Sequence, residues 1–410
     1  MTNMKAEQSL DKSIGKRIGI RNALVLSLAQ AFNGSMGAIA ISMGALAGAW
    51  LLPETPEWAT LPVAAYGVGV AVFAMPVSML AHKFGRKSGF IMGVFIGILG
   101  ALLAVYSLKN HAFTMFCMSY LTIGGASAFV QQYRFAAADH GDDKFKSKAI
   151  SWVLTGGVLA AFIGPQMVLR TKDMFLPLPF AGAFIGMVIL LVIGIFILAL
   201  YRSTGHKHTT EIVSEEEIRP VGTIIRQPVF MVALICAISS YALMTFMMTG
   251  APLAMTHNGH SEANAVIGIQ WHVIAMYAPS FITGSLIVRF GKLPIIAAGL
   301  ALLIVCAGVA LVGLELWNFW TSLILLGIGW NFGFIGSTAL LGEAYHAGEK
   351  NKVQGMHDFI LFSCVAMASL AAGATLHNFG WRGIAIVLIP VSIIAMLSLI
   401  WLGVVGRPKS

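Results

Sequence analysis

The feature that most limits how this chain can fold is a series of twelve apolar stretches separated by short polar turns. They fall at about 22–50, 61–81, 88–107, 112–136, 149–169, 177–200, 228–252, 265–288, 293–314, 318–342, 355–376 and 383–405. About 20 apolar residues in helical form cross the hydrocarbon of a bilayer. In that medium every backbone N–H and C=O must be bonded within its own segment, and none of these stretches alternates as a barrel strand would. Each is therefore read as a membrane-spanning helix. Composition agrees: 58% of the residues are hydrophobic and 10% are charged, against roughly 25% charged in soluble proteins.

The net charge of +9 invites a nucleic-acid reading, but the placement of the basic residues excludes it. With the N-terminus inside, 21 of the 26 Lys and Arg fall in segments that would be cytoplasmic. Four (Lys109, Arg170, Lys172 and Arg382) fall in outer loops, and Arg134 sits in a helix end. This positive-inside bias predicts that both termini are cytoplasmic. Trp50, Trp58, Trp317, Trp320 and Trp381 fall at the expected outer ends, where an indole suits the headgroup level. Cys117, Cys236, Cys306 and Cys364 lie in separate apolar runs and read as packing residues, not as metal ligands or disulfides. No cleavable leader is expected, because residues 1–21 are polar and basic and the first apolar run is long enough to span.

The chain repeats itself. Ser78–Lys87 reads SMLAHKFGRK, and Gly284–Leu293 reads GSLIVRFGKL. Both end an apolar run, both contain Phe-Gly-basic, and both lead into another run. Asp139 and Glu343, and Lys148 and Lys352, recur at a common offset of 204 residues. The expected organisation is a polar tail (1–21), a six-helix bundle (22–200), a charged linker (201–227), a second six-helix bundle (228–405) and a short tail (406–410). Two parallel halves with both termini inside form a transporter architecture. The linker carries His206, His208 and Glu215–Glu217 without ligand spacing on a fixed scaffold, so no metal is expected, and no other cofactor.

With these elements in place the chain resembles the major facilitator superfamily over its whole length. The family's turn between helices 2 and 3 reads roughly G-x-L-x-D-R-x-G-R-K. Leu80, Lys83, Gly85, Arg86 and Lys87 match or are conservative, while Ser78 and His82 depart from it. The second copy keeps Gly284, Leu286, Arg289, Gly291 and Lys292, with Val288 at the acidic position. Gly164-Pro165 resembles the family's glycine-proline element in helix 5, although its surrounding glycines are mostly missing.

The resemblance implies an inner gate. The basic residue of the turn would pair with an acid ending helix 4, giving Arg86–Asp139 and, by the repeat, Lys292–Glu343. The acid of the turn would meet the start of helix 11. Those positions are His82 and Asp358 here, so a titratable contact between the halves is expected. The alternative is that these are solvated helix ends with no gating role. The resemblance also implies a midplane cavity lined by helices 1, 4, 7 and 10, with contributions from 2, 5, 8 and 11. Polar and aromatic groups on those helices are Gln30, Asn33, Gln131, Gln132, Tyr133, Arg134, Tyr241, Gln270, His272, Trp330 and Asn331. Hydrogen bonding between helices, about 0.6 kcal/mol per contact in membranes, explains any single one equally well. Together they suit a neutral or weakly anionic, partly aromatic solute. No acid lies deep in a helix, so a proton carrier would be His272, His357 or Asp358, with His272 the most deeply placed.

No phosphate-cradling glycine loop, metal cluster or activated nucleophile is apparent, so the chain is not expected to be an enzyme. The expected function is secondary transport of a small organic solute by a monomer in a bacterial cytoplasmic membrane, coupled or not to protons. An efflux pump of the same fold and a non-transporting receptor or scaffold remain alternatives.

Overall fold

The computed structural model describes residues 2–137, 143–202 and 219–404; side chains are described for most of these, but not for 2–16 or 81–84. Asp139, the side chain of His82, most of the expected linker and the expected C-terminal tail therefore lie outside the described residues.

The described chain is helical, without strands. The helices are α1 (Thr2–Asn33), α2 (Ser35–Leu51), α3 (Leu61–Phe84), α4 (Arg86–Lys109), α5 (Phe113–Gln131), α6 (Tyr133–Ala137), α7 (Asp143–Thr171) and α8 (Ala181–Ala199). They continue as α9 (Val221–Ile225), α10 (Pro228–His257), α11 (Glu262–Tyr277), α12 (Ser280–Phe290), α13 (Lys292–Val312), α14 (Leu316–Leu341) and α15 (Lys350–Val404). Among the described residues ten helical segments are long and apolar enough to cross a membrane, and α11 with α12, bent by 41° at a short break, makes an eleventh. In this count α1 and α2 share one span, as do α5 and α6.

The 55-residue α15 is two helices meeting at Gly380, whose φ of 65° and ψ of −169° are not helical. At about 1.5 Å per residue an unbroken helix of that length would greatly exceed a hydrocarbon core of about 30 Å. The polar gap expected between 376 and 383 contracts to this one residue.

The repeated basic turn has the same backbone in both copies. Gly85 (φ 79°, ψ 153°) starts α4, and Gly291 (φ 90°, ψ 165°) starts α13. A side chain is strongly disfavoured in that region of φ/ψ, which explains why both copies have glycine.

The chain divides into two compact units: Met1–Ala40 with Val72–Gly205, and Ile41–Ala71 with His206–Ser410. In the first, α4 meets α5 closely enough that a Cβ on Gly93 would stand 2.5 Å from Phe129 Cβ. Gly89, Gly93 and Gly97 recur at four-residue spacing, a pattern of small residues that lets helices approach this closely. In the second, the short turn Pro56–Trp58 lies against α15, where Thr60 Oγ1 donates to Leu370 O at 3.4 Å.

Trp58 and Trp317 are exposed, as suits a headgroup-level indole. Trp381 differs from expectation. It is 4% exposed and packs on Phe319 at a ring distance of 4.9 Å, because it follows the Gly380 bend directly and turns into the bundle. Cys236 and Cys306 are buried, Cys117 and Cys364 half-buried, and all four are free thiols.

Candidate functional site

The second unit gathers polar and aromatic side chains around α14. Pro279 has no N–H to continue the ladder between α11 and α12, so carbonyls at this break need other donors. Asn331 of α14, fully buried, provides one. Its Nδ2 donates to Met276 O and to Ser280 Oγ, each at 2.6 Å. Its Oδ1 accepts from Thr283 Oγ1 at 2.6 Å. Both ends of the amide are thus committed to the broken helix.

His272 of α11 is also fully buried. Its Nδ1 lies 2.7 Å from Leu323 O. A carbonyl only accepts, so Nδ1 carries the hydrogen and, in the neutral ring, Nε2 is the acceptor. Nε2 is buried with no partner among the described residues. Gln270, two residues earlier on α11, is buried as well.

Trp330, adjacent to Asn331, joins Tyr241 of α10 and Phe334 in an aromatic group, with ring centroids 5.1 to 5.4 Å apart. Two open grooves of this unit lie elsewhere. One of about 520 Å³ runs along Ile225, Arg226, Phe230, Met231 and Leu234; the other, of about 560 Å³, lies beside Lys292 and Glu343.

In the first unit the sequence-derived groups split. Asn33 ends α1 at the break before Gly34, and its Nδ2 donates to the hydroxyl of Tyr133 at 2.9 Å. Both side chains are fully buried, and Tyr133 packs edge-on against Phe90 at 4.8 Å. Gln30 lies over the same break: its Nε2 would be 2.6 Å from a Cβ on Gly34. Gln131 and Arg134 are exposed and Gln132 is half-buried. The Arg134 guanidinium lies 4.8 Å from the neighbouring Phe135 ring. The structure therefore brings Asn33 and Tyr133 to the interior, leaves Gln30 half-buried beside them, and leaves Gln131 and Arg134 exposed.

The family model of the Major Facilitator Superfamily matches residues 23–368. The chain belongs to that superfamily. The riboflavin transporter RfnT of Brucella anthropi is 41% identical over 380 residues, covering 93% of this chain and 95% of that protein. YddS of Bacillus subtilis, described as an uncharacterized transporter of the superfamily, is 31% identical, covering 85% of this chain and 82% of that protein. A crystal structure of a mutant form of the nucleoside transporter NupG matches with a TM-score of 0.69 over 92% of this chain and 99% of that one. At 12% identity that match speaks for the fold alone.

In this major facilitator protein the second copy of the basic turn holds an ion pair, with Lys292 Nζ 2.6 Å from Glu343 Oε1. Both groups are partly exposed, so the pair contributes at most about 1 kcal/mol. In the first copy Arg86 has an interaction of its own, while its expected partner Asp139 lies outside the described residues. Lys87 Nζ donates to Ala199 O at 2.6 Å, where a cation suits the end of α8. Asp358 is exposed, with Oδ1 3.0 Å from Nδ1 of the buried His357. Its expected meeting with His82 falls on an undescribed side chain.

One arrangement was missed by sequence reasoning. Arg219, just before α9, clasps Glu349 in the turn before α15. Arg219 Nε donates to Oε1 at 2.8 Å and Nη2 to Oε2 at 2.7 Å. The Arg219 and His346 backbone N–H groups each donate to this carboxylate at 2.9 Å. Arg219 Nη2 also reaches Ala344 O at 3.1 Å. The hydrogen bonds from the Arg219 side chain hold the Glu349 carboxyl down to about 2, and the same bonds raise the Arg219 pKa above its ordinary value. A depressed carboxyl stabilises the fold above its unfolded pKa and stops doing so as pH falls through its folded one. The clasp therefore stands charged at neutral pH and is lost only as the pH drops toward about 2. No sequence signal joins two residues 130 positions apart, one of them in a linker that reads as solvated. Ser280 and Thr283 at the break and the aromatic partners Phe334 and Phe362 were missed too, since they read as ordinary membrane-helix residues.

Proposed function

We propose that this chain is a secondary transporter for a flavin-class solute, working by alternating access of two six-helix halves in a bacterial cytoplasmic membrane. The observation that carries the proposal is the 41% identity, spread over 93% of the chain, to a riboflavin transporter. A buried interior supplied with amides and aromatic rings suits a neutral, largely aromatic solute with a polar tail.

The proposal includes twelve spans, with the halves at 22–200 and 228–405 and both termini cytoplasmic. Ten apolar segments, the bent pair α11–α12 and the division of α15 at Gly380 support that count. The distribution of Lys and Arg supports the orientation. Solute contacts are assigned to Gln30, Tyr241, Gln270 and Trp330. Asn33, Tyr133 and Asn331 act on the solute through the helix breaks they hold. Proton coupling is assigned to His272 and Asp358, and gating to the basic turns through Arg86, Lys292 and Glu343.

Counterflow into proteoliposomes tests the transport step without needing to know direction or driving force. Vesicles loaded with unlabelled riboflavin should accumulate external labelled riboflavin faster than protein-free vesicles. Equal accumulation in both, with folded protein in the membrane, overturns the flavin reading. A pH gradient that drives net movement in wild type and fails to do so in His272→Gln supports the coupling assignment; an unchanged response removes it from His272.

A further inference from the structure

The second unit contains an aromatic group that differs from ordinary core packing. Tyr241 stands edge-on to both Trp330 and Phe334, at 84° and 89°. Trp330 and Phe334, one turn apart on α14, lie nearly parallel, with centroids 5.3 Å apart and planes inclined by 17°. Phe362 of α15 closes on Tyr241 at 5.7 Å. Tyr241 and Trp330 lie near the middle of α10 and α14, and Phe362 near the middle of α15 before Gly380.

The first unit supplies an internal control. Phe116, Tyr120 and Phe184 form a comparable group at 4.9 to 6.1 Å. All three are fully buried, and the Tyr120 hydroxyl donates to Ala40 O at 2.9 Å. That group is sealed and its polar atom is satisfied, as a packing cluster should be. The second-unit group differs on both points. Tyr241, Phe334 and Phe362 are only half-buried, so the group keeps an open side. Trp330 is 8% exposed, yet its Nε1–H is buried with no partner among the described residues. Buried indole N–H groups ordinarily find an acceptor.

We infer that these four rings form the seat for a flat, fused heteroaromatic ring, and that Trp330 Nε1–H donates to an acceptor on that ring's edge. Trp330 and Phe334 are already stacked on one another, and the half-buried Phe334 offers the face on which a further flat ring continues the stack, with Tyr241 edge-on beside it. A donor in apolar surroundings also discriminates, because a ring without a matching acceptor leaves the N–H unpaired. The inference rests on the flavin reading above and adds to it the residues that recognise the ring.

The test is riboflavin binding to the purified full chain in detergent, followed by quenching of the flavin's own fluorescence. Trp330→Phe keeps a ring and deletes the donor, so affinity should fall about three- to tenfold with little change in melting temperature. Phe334→Leu removes that stacking face, so affinity should fall about tenfold and the bound flavin should be quenched less. Phe362→Leu replaces it if that variant does not fold. Phe116→Leu, in the sealed group, should lower the melting temperature and leave affinity at the wild-type value. Folded Trp330 and Phe334 variants that bind riboflavin as wild type does would overturn the seat and leave flavin transport standing. Wild-type protein that binds no riboflavin brings down the flavin reading, and the seat with it.

Discussion

Asn33 and Asn331 are both fully buried asparagines beside breaks in membrane-spanning helices, and they use their amides differently. Asn331 sits inside the unbroken α14 and reaches across to the break between α11 and α12, where its three hydrogen bonds engage both amide ends. Asn33 sits at the break of its own span and reaches outward with one hydrogen bond, to Tyr133. Its Oδ1 is buried without a partner among the described residues, against Gly194 of α8. The first arrangement has the character of a clamp that fixes a bend. The second leaves one half of the amide unspent at a place where a helix is already interrupted. Identical residue types at similar burial therefore carry different expectations, and the difference lies in which groups each asparagine satisfies.

The largest expected effect is at the clamp. Asn331→Ala strips Met276 O, Ser280 Oγ and Thr283 Oγ1 of a partner in one step. Leaving buried groups unsatisfied costs about 1–3 kcal/mol for each group that finds no replacement, so a loss of about 2–4 kcal/mol is expected if the break cannot relax. Reversible unfolding in mixed detergent micelles measures it. A loss near the roughly 0.6 kcal/mol of an average hydrogen bond between membrane helices would show that the break holds itself, and the contrast with Asn33 would disappear.

The next effect is at Gly194. A Cβ there would stand 1.7 Å from Asn33 Oδ1 and 2.5 Å from its Cγ, so Gly194→Ala must push the amide off Tyr133 or push α8 away from α1. Overpacking of this kind typically costs about 1–3 kcal/mol. Removing Asn33 first should remove most of that cost. The double variant Asn33→Ala with Gly194→Ala should therefore be more stable than the two separate losses imply. Additive losses would mean that the clash is with something other than the amide.

Much of the helical fold was legible because hydropathy reports it directly. The apolar runs foreshadow the ten apolar segments and the bent pair α11–α12 among the described residues, and the repeated Phe-Gly-basic turn foreshadows the positive φ shared by Gly85 and Gly291. The repeat also pointed to Lys292 with Glu343, which the structure pairs. The site was less legible. Inside a membrane lipid is as apolar as a protein core, so a spanning helix need not advertise its inward face. Hydropathy could not show that Phe334 and Phe362 join Tyr241 and Trp330, or that Thr283 is buried while its neighbour Ile282 is exposed. The polar residues Asn33 and Asn331 stood out, but their partners did not, because a bond to a main-chain carbonyl such as Met276 O leaves no trace in composition. The Trp381 reading failed for a related reason. Position near a helix end suggested a headgroup indole, and the backbone turn at Gly380 sent it inward instead.

The smallest expected effect on stability, and the one that separates the two asparagines most sharply, is Asn33→Ala. One hydrogen bond is lost, worth about 1 kcal/mol net, and the removal of an unpartnered buried Oδ1 offsets part of it. The expected loss is therefore about 1 kcal/mol or less, a fraction of that at Asn331. If Asn33 serves only to pack α1, α6 and α8, riboflavin counterflow in the folded variant should be close to wild type. If its unspent oxygen is used when the span moves about Gly34, counterflow should fall well beyond what the small loss of stability accounts for. A large loss of stability with counterflow unchanged would reverse the assignment, making Asn33 the structural clamp and returning Asn331 to the candidates for solute contact.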